Sequence, residues 1–350
     1  MSLSVNIKKR LGDFFLDVSF EAENNILALL GASGCGKSMT LKCIAGIEKP
    51  DSGKIVLDGK VLFDSEKNIN IPPQKRQVGY LFQQYALFPN MTVEKNIETG
   101  MLKLPKEERR EKVKSLVESM QLMGLENKYP SQLSGGQQQR TALARILASS
   151  PKVILLDEPF SALDSFLKWQ LENELADILK AFEGDVIWVS HDRDEVYRNC
   201  EKICVLDKGK SGNVKGVKEL FENPDTVSAA RLTGCKNFAP FEVKEDGMIF
   251  IPQWNISLES TFTPSANHNF VGIRARNIAF NSDNETNCVE CEIMRITEST
   301  FSVIFMLKPL RAEDNASLIR VETRKEGNMD FNKNDIVKIY IPPSQVMLLE

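Results

Sequence analysis

Long hydrophobic runs are missing from this 350-residue sequence. A membrane-spanning helix needs ~18 apolar residues in succession. The strongest runs, ILALL from Ile26 and VILLD from Val153, have the length of buried strands. A membrane role therefore falls to the chain as a soluble partner, and the opening MSLSVNIKKR lacks the apolar core of a signal peptide. A strong charge of one sign is missing too. The formal net charge is −4, with no sign of the basic face that binds nucleic acid. The densest charged stretch, KEERREKVK from Lys106, mixes both signs and reads as a solvated helix face. Histidine is scarce, at two residues, and the seven cysteines are scattered and odd in number. That argues against a disulfide framework and fits reduced thiols in a cytosolic protein.

What is present is ordinary globular composition, 42% hydrophobic and 26% charged, in a chain long enough for two domains. Over the first two thirds, short apolar strands alternate with helix-like stretches: ILALLG runs into KSMTLKCIAGI, and KVILLDEP precedes SFLKWQLENELADILKAF. This pattern predicts an α/β core with a mainly parallel sheet covered on both faces. From about 90 to 150 helical periodicity dominates, which marks an inserted helical subdomain. VKELFENPDTVSAARL reads as one short helix before TGCKNF. Beyond it, brief alternating strands (GMIFI, FVGIRARNIAF, CEIMRI, FSVIFML, SLIRVET, IVKIYIP) predict a small all-β barrel or sandwich. The expected domains are 1–232 and 233–350.

GASGCGKS, Gly31 to Ser38, fits the phosphate-loop pattern G-x-x-x-x-G-K-[ST] between a strand and a helix. Its glycines let backbone N–H groups close around a β-phosphate, Lys37 reaches the β- and γ-oxygens, and the Ser38 hydroxyl is placed to ligate Mg²⁺. Ala32, Ser33, Gly34, Cys35, Gly36 and Met39 complete the expected nucleotide contact. In VILLDEP, four apolar residues end in Asp157, a second Mg²⁺ ligand, and Glu158, placed to polarise an attacking water. His191, just past the buried strand of DVIWVSHD, is expected to meet the γ-phosphate, because α/β sheets bind ligands at the carboxyl ends of their strands. Gln83, after a strand-like run in YLFQQYALFP, is expected to sense Mg²⁺. LSGGQ, Leu133 to Gln137, looks like half of another phosphate site at a helix N-terminus, but without a lysine.

Together and in this order, these residues resemble the nucleotide-binding subunit of ATP-binding-cassette (ABC) transporters, from about Leu3 to Leu232. LSGGQQQR matches the family signature, SALD its D-loop, Gln83 its Q-loop and His191 its switch histidine. The resemblance implies a P-loop NTPase core of ABC type and a head-to-tail homodimer with two ATPs at the interface. Each ATP is then gripped by one phosphate loop and by Ser134, Gly135, Gly136 and Gln137 of the other copy, with Ser161 to Asp164 lying across the interface. It also implies an integral membrane permease dimer, docked near Gln83 to Pro89 on the cytoplasmic face, and indirectly a periplasmic or lipid-anchored solute-binding protein. The family usually stacks an aromatic residue on adenine; here KKRLGDFF offers leucine near that place, with Phe14 and Phe15 after it.

LFDSEKNINIPPQKRQVGYLFQQYALFPNMTVEKNI and AARLTGCKN resemble ATPases of molybdate importers. The β-rich end, with VGIRARNIAF, resembles the transport-associated OB-like domain of oxyanion, sugar and iron importers. Such a domain implies either oxyanion feedback or a dimer brace. Sulfate and ferric iron are the alternative cargoes, and a soluble ABC ATPase or a P-loop kinase are the rival classes. CVEC, Cys288 to Cys291, lacks the second ligand pair a zinc site needs. Arg274 and Arg276 alternate on a strand-like run and are expected in solvent rather than facing an anion, the alternative reading.

Overall fold

The computed structural model describes residues 2–161, 165–280, 286–325 and 331–350. The chain forms two compact units, Met1–Val217 and Lys218–Glu350, a division earlier in the chain than the expected one after Leu232.

The first unit is built on one eleven-stranded sheet. Its strands are β1 (Ser2–Leu11), β2 (Phe14–Glu23), β3 (Ile26–Leu30), β4 (Ser52–Leu57), β5 (Lys60–Asp64), β6 (Ile69–Asn70), β7 (Val78–Leu81), β8 (Val153–Asp157), β9 (Asp185–Ser190), β10 (Lys202–Asp207) and β11 (Lys210–Gly216). They lie in the order β6-β5-β4-β1-β2-β11-β10-β3-β9-β8-β7. Only β10-β3-β9-β8-β7 is parallel throughout. The expected mainly parallel sheet is thus about half the sheet, and the rest is antiparallel except where β2 meets β11. That half follows from alternation: Leu3, Val5 and Ile7 of β1 and Leu16, Val18 and Phe20 of β2 face the core, with more exposed residues between them. β8 and β9 are buried at every position, as parallel strands covered on both faces should be.

Around the parallel half lie α1 (Lys37–Ala45), α5 (Ser165–Lys180) and α6 (Arg193–Asn199), while α2 (Val93–Glu98), α3 (Lys106–Ser119) and α4 (Gly135–Ala148) form the helical subdomain. Its own core joins Val93 and Ile97 of α2 to Val113 and Val117 of α3 and Ala144 of α4. Four neighbouring parallel strands then bring their carboxyl ends to one edge: β3 opens the phosphate loop, β7 leads to Gln83, β8 ends in Asp157, and β9 leads to His191. Topology alone gathers residues that are far apart in sequence.

Among the described residues, the second unit is β-rich, with short α-helices near its start and 3₁₀ turns at Pro252–Trp254, Ala275–Asn277 and Pro343–Gln345. Two three-stranded antiparallel sheets accompany a five-stranded one ordered Ala279–Phe280, Ile336–Tyr340, Cys288–Glu298, Ser302–Pro309, Ile319–Arg324. Among the described residues, Ala279–Phe280 and Ile319–Arg324 are its edges. Trp254, Ile293, Phe305, Val321 and Ile339 share the core. Two expectations need correction here. The single helix over VKELFENPDTVSAARL is two, Val217–Glu222 and Val227–Leu232, because Pro224 interrupts the ladder and Thr226 caps the second. FVGIRARNIAF is not one strand: it breaks at a 3₁₀ turn over Ala275–Asn277.

Candidate nucleotide site

The phosphate loop leaves β3 at Gly31 and enters α1 through Gly36, whose φ of 106° is open to glycine and strained for other residues. A Cβ there would lie 2.5 Å from Leu16 Cδ1. At Gly31 it would lie 2.3 Å from the Leu206 carbonyl oxygen. Close packing as well as phosphate access therefore demands these glycines. Lys37 is buried and donates from Nζ to the carbonyls of Gly31 (2.7 Å) and Ala32 (3.0 Å). To grip a phosphate it exchanges loop carbonyls for phosphate oxygens. Cys35 is 5% exposed, and burial pushes its thiol up, with the Lys37 ammonium offsetting part of that. A protonated, covered thiol is a slow nucleophile, so the loop cysteine is a packing residue here.

Ser38 Oγ donates to Asp157 Oδ1 at 2.7 Å, joining the helix start to the end of β8. The other carboxylate oxygen accepts from the Tyr80 hydroxyl at 2.8 Å. Burial, then the nearby Asp157 charge, drives the Tyr80 pKa up, so the phenol stays a donor and orients the carboxylate. Ser38 and Asp157 are oxygen donors suited to a small hard cation that takes its remaining ligands from phosphate and water. Among the described residues no cluster of three or more His, Cys, Asp or Glu offers an all-protein cage.

Glu158 adopts φ of +47°, a left-handed conformation uncommon outside glycine. Its amide still donates to Val189 (3.0 Å), and its side chain lines the cleft beside the phosphate loop. His191 Nδ1 lies 3.2 Å from Glu158 Oε2, with the imidazole 60% exposed. Gln83 Nε2 donates to Ser161 Oγ at 2.9 Å, and the Ser161 amide donates to the Glu158 carbonyl at 3.2 Å. Gln83, Ser161, Glu158 and His191 thus form a connected set at one edge of the sheet. Ala162 to Asp164 of the expected interface segment lie outside the described residues.

The cleft has a volume of about 510 Å³, within the usual range for small-molecule sites. Ser33, Gly34, Lys37, Ser38, Gln83 and Glu158 line it, with Leu11 and Phe14 on one side. Phe14 also packs against the core of the unit, so it serves both as core residue and as cleft wall. The signature turn does not line this cleft. Ser134 caps α4: its Oγ accepts from the Gln137 amide (3.3 Å), and Gln137 Oε1 accepts from the Ser134 amide (2.9 Å). The two glycines do different work. Gly136 is buried, and a Cβ on it would fall 2.8 Å from Leu171 Cδ2 of α5, whereas Gly135 is only partly buried.

In the second unit, Arg274 is not in solvent as expected: it donates to the carbonyls of Thr233 (2.6 Å) and Phe221. Arg276 is exposed but pairs with Glu322 at 2.8 Å. The seven cysteines form no disulfide, and burial pushes the Cys291 thiol up to about 12. His268 accepts a turn hydrogen bond from the Ser265 amide. Sequence reasoning passed over Tyr80, Arg76 and Arg145. The tyrosine's role depends on the β7–β8 register, which no local pattern encodes. The two arginines act on backbone carbonyls contributed by other segments.

A family model described as ABC transporter matches residues 16–161. The molybdenum import ATP-binding protein of Paramagnetospirillum magneticum is 38% identical over 222 residues, 63% of this chain and 61% of that protein. The Fe(3+) ions import ATP-binding protein of Haemophilus influenzae is 38% identical over 247 residues, 70% of each chain. The sulfate/thiosulfate import ATP-binding protein of Synechocystis sp. is 39% identical over 246 residues, 69% of this chain and 68% of that one. The chain therefore spans about three fifths of the first of these and more than two thirds of the other two. Among solved structures, the dimeric ATP-binding cassette MJ0796, in a post-hydrolysis state bound to ADP and Pi, is 29% identical with a TM-score of 0.52, covering 62% of this chain and 99% of that one. The phosphate loop, the carboxylate pair, the capped signature turn and these relatives lead to one assignment: this chain belongs to the ABC transporter family, as one of its ATP-hydrolysing cassettes.

Proposed function

We propose that the chain is the ATP-hydrolysing subunit of an ABC importer, working as a head-to-tail homodimer on the cytoplasmic face of a membrane permease. The observation that carries this reading is the separation of two half-sites within one chain. The cleft holds Lys37, Ser38 and Glu158, while Ser134 and Gly135 end a different helix and line no part of it. The resemblance in the signature region supports completion by a second copy. There, Ser134 and the amides and dipole of α4 face the γ-phosphate from across the interface.

In this reading the loop amides and Lys37 hold the triphosphate tail. Ser38 and Asp157 would hold Mg²⁺, which would supply charge neutralisation to the phosphates. Glu158 takes the proton of the attacking water, and His191, in contact with its carboxylate, orients it toward the γ-phosphate. Gln83, tied through Ser161 to Glu158, reports the state of the site to the loop that meets the permease. ATP joins the two copies and hydrolysis releases them, so closure is available to drive the attached permease.

Molybdate, or tungstate, is the proposed cargo, on the likeness of residues 62–97 and of AARLTGCKN to molybdate-importer ATPases. Relatives named for Fe(3+), sulfate/thiosulfate and spermidine/putrescine are 37–41% identical, so ferric iron, sulfate and polyamines are the alternatives. The second unit is proposed as an OB-like regulatory domain. Two measurements test the reading. Glu158→Gln protein with Mg-ATP is expected to dimerise with the Ser134 turn against bound nucleotide; a monomer under saturating Mg-ATP overturns the motor. Uptake by the assembled transporter, compared among molybdate, sulfate, Fe³⁺ and spermidine, decides the cargo.

A further inference from the structure

The loop after Gln83 is held from an unexpected direction. Tyr85 and Ala86 both have positive φ, 57° and 46°. Two successive L-residues in the left-handed region persist only where the surroundings fix them. Their carbonyls are turned toward α4, where Arg145 Nη2 donates to Tyr85 (3.0 Å) and Nη1 to Ala86 (2.8 Å). The same guanidinium lies 5.3 Å from the centre of the half-exposed Phe88 ring. From the far side, Asn96 accepts from the Phe88 amide and donates to the carbonyls of Phe88, Met91 and Thr92. Gln83 has a separate anchor in Ser161.

Arg145 sits on the helix that Ser134 caps. At ~1.5 Å per residue, about 16 Å of continuous helix separates the signature turn from the arginine. A helix of this length, packed into the subdomain core through Ala144 and Ala148, moves as a rod. We infer that Arg145 is a positioning residue that locks the Tyr85–Phe88 turn to the signature helix, so that the turn moves whenever Ser134 engages nucleotide. The inference rests on the proposed dimer and on permease docking at Gln83 to Pro89. It adds a second route, through α4, beside the one through Gln83. A guanidinium is suited to the task because its planar fork reaches two adjacent carbonyls at once, which an ammonium on a single point does not.

Amide hydrogen exchange on the full chain tests this, in the Glu158→Gln background with and without Mg-ATP. The amides of Tyr85 and Ala86 are hydrogen-bonded within the loop and that of Phe88 to the Asn96 side chain of α2, so their exchange is slow enough to follow. Without nucleotide, Arg145→Met is expected to speed their exchange at least tenfold while the amides of α4 keep their protection. With Mg-ATP, the parent is expected to show slower loop exchange on dimerisation. Arg145→Met is expected to dimerise within threefold of the parent's affinity but to lose that added protection, and Arg145→Lys to recover only part of it. A merely structural arginine would lower protection through α4 and weaken dimerisation together, and that result overturns the proposal. Unchanged loop exchange in Arg145→Met without nucleotide also overturns it. Failure of the parent itself to dimerise overturns the motor reading instead, and the nucleotide-free comparison still decides whether Arg145 clamps the turn.

Discussion

The base role proposed for Glu158 rests on a single side chain. The residue sits at a left-handed backbone position at the end of a fully buried strand, with His191 against one carboxylate oxygen. Removing its basicity while keeping its shape tests the proposed proton transfer. In Glu158→Gln, steady-state ATP hydrolysis is expected to fall by about 10²–10⁴-fold, while equilibrium binding of ATP stays within a few-fold; loss of binding would place the residue in affinity instead. Asp185 makes the opposite case, an acid without a place in the chemistry. It begins β9, away from the strand end that leads to His191, and its side chain is fully buried with no good hydrogen-bond partner for either oxygen. Burial pushes its carboxyl up to about 6, with the backbone amides of Asn24 and Asn25 partly opposing. An acid whose folded pKa exceeds its unfolded one costs nothing below the unfolded value of 3.8. As pH rises from there to about 6 the unfolded chain ionises first, and stability is lost; above 6 the full penalty of roughly 3 kcal/mol stands. Asp185→Asn is therefore expected to stabilise the protein by about 1–3 kcal/mol at pH 7.5 in urea unfolding, with the gain shrinking toward zero near pH 4. A gain that does not depend on pH would remove the ionisation argument.

At the scale of elements, α1 depends on a residue that looks unremarkable in PPQKRQVG. Arg76 is 1% exposed, and its guanidinium donates to the carbonyls of Cys43 and Ile44 (both 2.8 Å) at the end of α1, and to Ile71. A Cβ on Gly46, the left-handed cap of that helix, would lie 2.5 Å from Arg76 Nε. Cation and helix carbonyls satisfy one another in a place closed to water. Arg76→Met keeps the volume and leaves those carbonyls unpaired, so a loss of about 2–4 kcal/mol is expected by urea unfolding. A loss under ~0.5 kcal/mol would mean the helix end finds other partners. Elements of this kind mark the boundary of what was legible. Gly31 to Ser38, VILLDEP and LSGGQ stand out in the sequence because each is a short local pattern, and the carboxyl ends of neighbouring strands bring the first two together. Leu3, Val5 and Ile7 alternate as a half-buried strand should, but their position in the sheet could not be read, since β2 joins β11 through one described residue pair, Lys210 with Asp17, from strands far apart in sequence. Arg76, Tyr80 and Arg145 were hidden for the same reason: an arginine or tyrosine bonded to a distant segment has no periodicity.

For the whole molecule, the decisive property of the proposed head-to-tail dimer is that neither active site belongs to one chain. In a two-fold head-to-tail dimer, the contact made by the phosphate loop of one copy with the signature turn of the other is repeated in reverse. Two differently disabled chains can then repair one another. Lys37→Ala removes the phosphate-loop cation, and Ser134→Arg blocks the signature turn while leaving the cleft of its own chain intact. Each homodimer carries the same defect in both sites and is expected to be inactive. A mixed dimer concentrates both defects in one site, leaving the other with a normal Lys37 from one chain and a normal Ser134 from its partner. At equal amounts, half of the dimers are mixed and each has one sound site. Mixing is therefore expected to restore up to about a quarter of the wild-type ATPase rate, less if the sites fire only as a pair. The measurement needs only the two purified variants, a titration of one into the other, and phosphate release. If Ser134 acted on nucleotide bound to its own chain, the Ser134→Arg copy would have no sound site to complete, and the mixture would stay as inactive as its parts.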